Sequence, residues 1–248
     1  MDVSGEEIPE AGHLIRQVRS ALEHDSRVNP HRCRISVKSE PDGTLILEGE
    51  TDHIAAKKIA LEIAASVPGS TGIVDRLRVK PSVPMGDGEI RDRVRDALLE
   101  EPAFAQYAVY VSQDTSGLPP QRARPLNNYI EAAVKDGVVT LNGQVESLSH
   151  KRLAGVLVWW VPGSRDVVNG LDVQPPEQDN DDEISDAVRT ALEKDGLIKS
   201  DSIRITTSSA VVTLDGVAAN DEQAAMAEAD EWYVFAVDGV VNHLKRLD

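Results

Sequence analysis

Six histidines, one cysteine and several acidic clusters are the residues of this chain able to hold a metal or move a proton. Their spacing argues against both. His13, His24, His31, His53, His150 and His243 are scattered. His31 and Cys33 stand two apart, which puts two soft ligands on one side of an extended strand. No third ligand accompanies them, so surface residues before a strand is the better account. Serine, histidine and aspartate occur without a nucleophile-elbow frame, and the glycines sit at turns rather than at phosphate-loop spacing. No catalytic residue, cofactor or metal ligand is expected, and an enzyme is not the expected class. Three acidic sets offer a cation the most: Asp181/Asp182/Glu183, Asp195/Asp201 and Glu228/Asp230/Glu231. Calcium wants clustered carboxylates around a glycine turn, and no such loop pattern is present. Helix N-terminal charge and a solvated face are the default readings of all three sets.

The aromatic pairs are better candidates for contact than for chemistry. Trp159-Trp160 and Trp232-Tyr233 each end a helical stretch. Trp160 falls on the apolar stripe, which leaves Trp159 the more exposed, beside Arg152 and Arg165. An aromatic ring among arginines suits a lipid headgroup layer or a protein surface. Packing between parts of the chain explains it equally well. Arg122 and Arg124, in a proline-bearing stretch, complete the candidate contacts with Trp159, Arg152, Arg165, Trp232 and Tyr233.

The elements that position these residues are repeated. The strand Val138-Val-Thr-Leu-Asn-Gly143 is matched by Leu45-Ile-Leu-Glu-Gly49 and by Val211-Val-Thr-Leu-Asp-Gly216. Each is followed by a helix and a last strand, Ile73-Val-Asp-Arg-Leu77, Val167-Val-Asn-Gly-Leu171 or Val240-Val-Asn-His-Leu244. The interval is 26 residues in every copy, from Gly49 to Asp75, Gly143 to Asn169 and Gly216 to Asn242. Such a period decides the fold before any local propensity does. A first helix opens each copy, with Leu14, Val18, Ala21 and Leu22, then Ile90, Val94, Ala97 and Leu98, then Ile184, Val188, Ala191 and Leu192 on one stripe. Asp87 and the cluster from Asp179 to Asp182 sit where helix N-termini favour carboxylates.

A hairpin follows the first helix. Its turns are read at Glu40-Pro-Asp-Gly43, Lys135-Asp-Gly137 and Ser208-Ser209. Gly49, Gly143 and Gly216 are expected to end the second strand. Val67-Pro-Gly69 and Val161-Pro-Gly163 stop the second helix. The third copy lacks Pro-Gly there. Each copy thus reads α-β-β-α-β. The expected class is α+β: three tandem modules, each a three-stranded mixed sheet with two helices on one face. The modules span 10–80, 86–175 and 180–248. Copy two carries about 20 extra residues between its first helix and its hairpin, within 102–127, read as an inserted loop.

Bulk properties bound the partners. The 248 residues carry a net charge of −16, most of it in the third copy, where residues 177–248 hold 6 Lys/Arg against 17 Asp/Glu. A chain this acidic repels nucleic acid phosphate and anionic lipid at long range, so either would need a local basic patch. Nucleic acid is not an expected partner. One cysteine excludes an internal disulfide. The acidic first residues lack a basic and an apolar leader region, so a cytoplasmic protein is expected.

The α-β-β-α-β unit, with Gly49, Gly143 and Gly216, the Val-Pro-Gly stops at Gly69 and Gly163, and Val-x-Asn/Asp-x-Leu at Asp75, Asn169 and Asn242, resembles the BON domain. That family is named for bacterial osmotically inducible and nodulation proteins, and the resemblance spans nearly the whole chain. It implies a non-enzymatic protein linked with osmotic stress response, the cell envelope and phospholipid binding. The expected function is binding to a phospholipid surface or protein partner. The alternative implied by a cytosolic relative is binding of potassium or another cation. The oligomeric state is left open.

Overall fold

The computed structural model describes residues 9–29, 31–112 and 128–247. The chain divides into two units, residues 1–80 and 81–248.

In the first unit, α1 (Pro9–His24) precedes β1 (Arg34–Ser39), β2 (Thr44–Thr51), α2 (Ile54–Ser66) and β3 (Gly72–Val79). β1 and β2 are an antiparallel hairpin and β3 lies parallel to β2, in the order β1-β2-β3. This is the expected hairpin closed by a helical crossover. Strand alternation sends Val37, Leu45, Leu47 and Leu77 under the helices, where all four are buried with Val18, Ile59 and Ala60. His53 caps α2 by accepting from the Ala56 amide.

The second unit holds two further sheets. α3 (Asp87–Glu100), β4 (Ala108–Ser112), β5 (Tyr129–Lys135), β6 (Val138–Val145), α4 (Leu148–Trp159) and β7 (Asp166–Val173) form the middle module. α5 (Asp181–Lys194), β8 (Ile203–Ser208), β9 (Val211–Ala218), α6 (Asp221–Tyr233) and β10 (Gly239–Arg246) form the last. The last sheet runs β10-β9-β8, as expected. The middle sheet has four strands, β4-β5-β6-β7, rather than three. Part of the segment read as an inserted loop is β4, which pairs parallel to β5 with Val109 beside Ile130 and Val111 beside Ala132. Five residues with two inward valines carry too little pattern to reveal a strand whose partner lies across a long connection. Arg122 and Arg124 lie outside the described residues.

Two glycine expectations change. Gly49, Gly143 and Gly216 do not end their strands, which continue two residues further. Each has a positive φ, 139°, 133° and 136°, and a Cβ there would strike the carbonyl of Arg34, Tyr129 or Ser202 on the neighbouring chain segment. Glycine is required by close backbone approach inside the sheet. At the helix stop the copies diverge. Gly69 is left-handed at φ 95°, and Ala236 holds the matching place at φ 69°. A Cβ on Gly163 would instead meet Met85 and Ile90, so packing selects that glycine.

The first-helix carboxylates have a second task. Asp87 accepts from the amides of Asp136 and Gly137, and Asp181 from those of Ser209 and Ala210, at 2.9 to 3.0 Å. Each ties its helix to the hairpin turn of its own module. Those turns place Asp136, Ser209 and Ala210 at positive φ, and the carboxylate holds their amides in that geometry.

Candidate functional site: the joint between the middle and last modules

Three of the candidate contact residues, Arg152, Trp159 and Tyr233, meet where α4 adjoins the last module. α4 is apolar on two sides. Leu153, Ala154 and Val158 face their own sheet and belong to the core of the middle module, while Val156 lies in the core of the last. A helix with apolar residues on both flanks needs two partners, and the last module supplies the second.

The aromatic rings form the seam. Trp159 stacks on Tyr233, with centroids 5.7 Å apart and planes inclined at 23°. Trp160 is packed against the last module's core and donates from Nε1 to Asp230 Oδ1 at 2.8 Å. Trp232 is buried. Arg152 is 1% exposed; its Nε donates to the Phe235 carbonyl at 3.2 Å and its guanidinium pairs with Asp179. Lys151 places its ammonium 5.4 Å from the Phe235 ring centroid. Lys194, at the end of α5, bonds Glu101 beyond the end of α3 at 2.8 Å.

Of the two readings open for Trp159, packing between modules and contact with a lipid or protein, the structure shows the packing. Arg152 is interior, and Trp159 is half-buried against Tyr233. Arg165 lies over the β5–β6 turn, where its stem packs on Gly137. The physical reason is that α4 has two neighbours, and the second comes from a different module.

The joint also holds acids in unusual states. Burial pushes the Asp230 carboxyl up to about 7; the bond from Trp160 opposes this and Asp195 adds to it. Glu231 is fully buried, with no hydrogen-bond partner for either carboxyl oxygen. Burial, then the charges of Glu228 and Asp230, push it up to about 9. Burial raises Tyr233 as well, with Asp230 contributing. The positions matching Glu231 in the other copies are Ala64 and Val158, both core residues. Repeat alignment is the signal that singles Glu231 out.

The acidic sets do not gather into an ion cradle. Among the described residues no group of three or more His, Cys, Asp or Glu is placed to hold a metal. Asp181 clamps a turn, Asp195 accepts from the Leu197 amide, and Glu228 accepts from Asn242. His31 is exposed, while Cys33 is buried and directs its thiol to Asp52 at 3.5 Å. No described helix is long and apolar enough to cross a membrane.

The Val-x-Asn/Asp-x-Leu motif fastens the last strand to the second helix. Asn169 donates to the Lys151 carbonyl at 2.7 Å and accepts from the Leu171 amide. Asn242 does the same with Ala224 and Leu244. Asp75 accepts from Leu77 but has no amide hydrogens to give. Lys57, at the place of Lys151 and Ala224, fills the gap: its buried ammonium lies 2.9 Å from Asp75 and bonds the Leu77 carbonyl at 3.1 Å.

That motif recurs with the same fold and the same interval in all three copies, and the BON domain model matches residues 11–81, 123–175 and 180–247. The chain belongs to the BON domain family. No curated protein matches it. Among solved structures it is similar to the C-terminal domain of CdsD, the structural protein of the type III secretion system of Chlamydia trachomatis. The two are 12% identical with a TM-score of 0.25, over 95% of this chain and 98% of that one. A second structure of CdsD gives 12% and 0.24, over 95% and 92%. The PrgH periplasmic domain gives 12% and 0.23, over 87% and 96%.

Proposed function

We propose that this tandem BON-domain protein acts by binding a protein partner, without catalysis, and that the helix-free faces of its sheets make the contact. One observation carries the reading. Lys151, Arg152, Trp159 and Trp160 of α4 are spent on joining two modules, whereas the opposite faces repeat an exposed valine at one position. Val74, Val168 and Val241 are 37%, 51% and 38% exposed. Each lies on the last strand of its sheet, in register with Ile46, Thr140 or Thr213. Exposed valines in a polar frame suit a protein surface.

Charge favours a protein over a lipid. Some of the polar residues around these valines pair, Lys38 with Glu48 at 3.0 Å and His243 with Asp215 at 3.2 Å. The net charge of −16 repels anionic headgroups at long range, and this favours the protein reading.

The test places a photo-crosslinking residue at Val74, Val168 or Val241 of the full chain in its source cells. Protein adducts from these positions, and none from the buried Val158, are expected. Adducts to phospholipid alone would replace this reading with the lipid one. No adduct of either kind would overturn binding through these faces.

A further inference from the structure

Module one leaves open the strand edge that module two closes. In the middle module β4 lies along the outer edge of β5, beneath α3, and Ile130 beside it is fully buried. The matching strand of module one is β1, whose Ile35 faces Gly49 as Ile130 faces Gly143. β1 has β2 on one side and no described strand on the other. Ile35 is accordingly only half-buried.

A groove of about 550 Å³ occupies the corresponding place. Its walls are Arg19, Leu22 and Glu23 of α1 on one side and Cys33 to Ser36 on the other, with Val28 also lining it. Leu22 matches Leu98 of α3, which is fully buried in the module that contains β4. In the last module the matching isoleucine, Ile203, is buried without a fourth strand, so the open groove is a feature of module one.

We infer that the outer edge of β1 receives an extended segment of a partner protein, running parallel to β1 and directing alternate apolar side chains into the groove beneath α1. The inference rests on the binding reading above and names the chemistry of one partner segment. β4 is the internal example of such an occupant: a short strand, Ala-Val-Tyr-Val-Ser, with Val109 and Val111 inward against its module's core and Tyr110 between them on the other face. An unpaired edge supplies backbone donors and acceptors at strand spacing, and side-chain pockets at alternate positions give selectivity. Val109 and Val111 mark the spacing such pockets must read.

The probe is a synthetic peptide of residues 106–113 of this chain, Gln-Tyr-Ala-Val-Tyr-Val-Ser-Gln, added in saturating amount to the full chain and followed by amide hydrogen exchange. Exchange of outward amides within 33–38 is expected to slow by about tenfold or more. A peptide with aspartate at both valines should give no protection. Glu23→Trp and Arg19→Trp, both at exposed helix positions, fill the groove and should abolish protection while leaving the free chain's exchange unchanged. Protection only at β3, β5 or β8, or protection that survives the groove-filling variants, would overturn the inference. So would no protection at all. Crosslinks from Val74, Val168 and Val241 would then still stand, so failure here is separable from failure of the binding reading.

Discussion

Trp160 of the middle module and Asp230 of the last are joined by a 2.8 Å hydrogen bond across two helices. It is one of three directional contacts described across the joint, with Arg152 on the Phe235 carbonyl and Lys194 on Glu101. The indole holds an acid whose carboxyl is pushed up to about 7, chiefly by burial and with Asp195 facing it. Trp160→Phe keeps a ring and removes the donor. It is expected to lower stability by about 1–2 kcal/mol. The loss should be larger at pH 8 than at pH 6, because the bond is stronger to the ionised form. Urea unfolding of the intact chain at both pH values checks this, and equal losses would contradict the role of the bond.

Glu231 makes the last module sensitive to alkali. Its folded value, about 9, lies above its ordinary value of 4.5. The folded state therefore binds more protons, and stability is full below about 4.5 and falls as pH rises towards 9. Asp230 adds to the fall between 3.8 and about 7. The charges facing this pair come from Glu228 on α6 and Asp195 after α5. Glu231→Val installs the residue type found at Val158. It should raise stability at pH 8 by about 1–3 kcal/mol and flatten the decline between pH 7 and 9. Melting temperature against pH for both chains is the measurement. A decline of unchanged slope would show that other groups cause it.

Lys57 and Asp75 substitute jointly for the asparagine of the other copies. Lys57→Ala leaves a part-buried carboxylate without its cation, and Asp75→Asn leaves a buried ammonium without its anion. Each should destabilise module one by about 2 kcal/mol. The double variant reproduces the Ala224 and Asn242 arrangement, in which the amide donates to the helix carbonyl. It should recover most of the loss, with a coupling of about 3 kcal/mol. Hydrogen exchange of β3 amides reads module one within the full chain. Additive losses would mean the two side chains are independent.

Ala236 carries a left-handed backbone where Gly69 serves in module one. Ala236→Gly should stabilise the last module by up to about 1 kcal/mol, since relief of a strained φ exceeds the added chain entropy. Gly69→Ala should cost about as much. The nearest atom to the new methyl would be Leu14 Cδ1 at 3.8 Å, so the penalty is conformational and not steric. Thermal unfolding of both variants decides, and shifts of the same sign would refute it.

The order of elements was open to reading from the chain alone, because strand alternation and the 26-residue interval are local properties repeated three times. The interval aligned Asp75, Asn169 and Asn242 before any contact was known, and Pro-Asp-Gly43 and Asp-Gly137 marked turns through backbone preference. The neighbours of each face were decided only in three dimensions. Helical periodicity placed Trp160 on a stripe but could not show that Val156, Trp159 and Trp160 meet a second module. The matching residues of α2, Glu62, Ala65 and Ser66, are small or polar. The same limit hid β4, whose partner lies across a long connection, and the burial of Arg152, which depends on Phe235 and Asp179 from the last module. Local pattern reports which side chains share a surface. Which surface covers them is set by long-range packing, and that packing decided between the two readings open for Trp159 in favour of the joint of two modules.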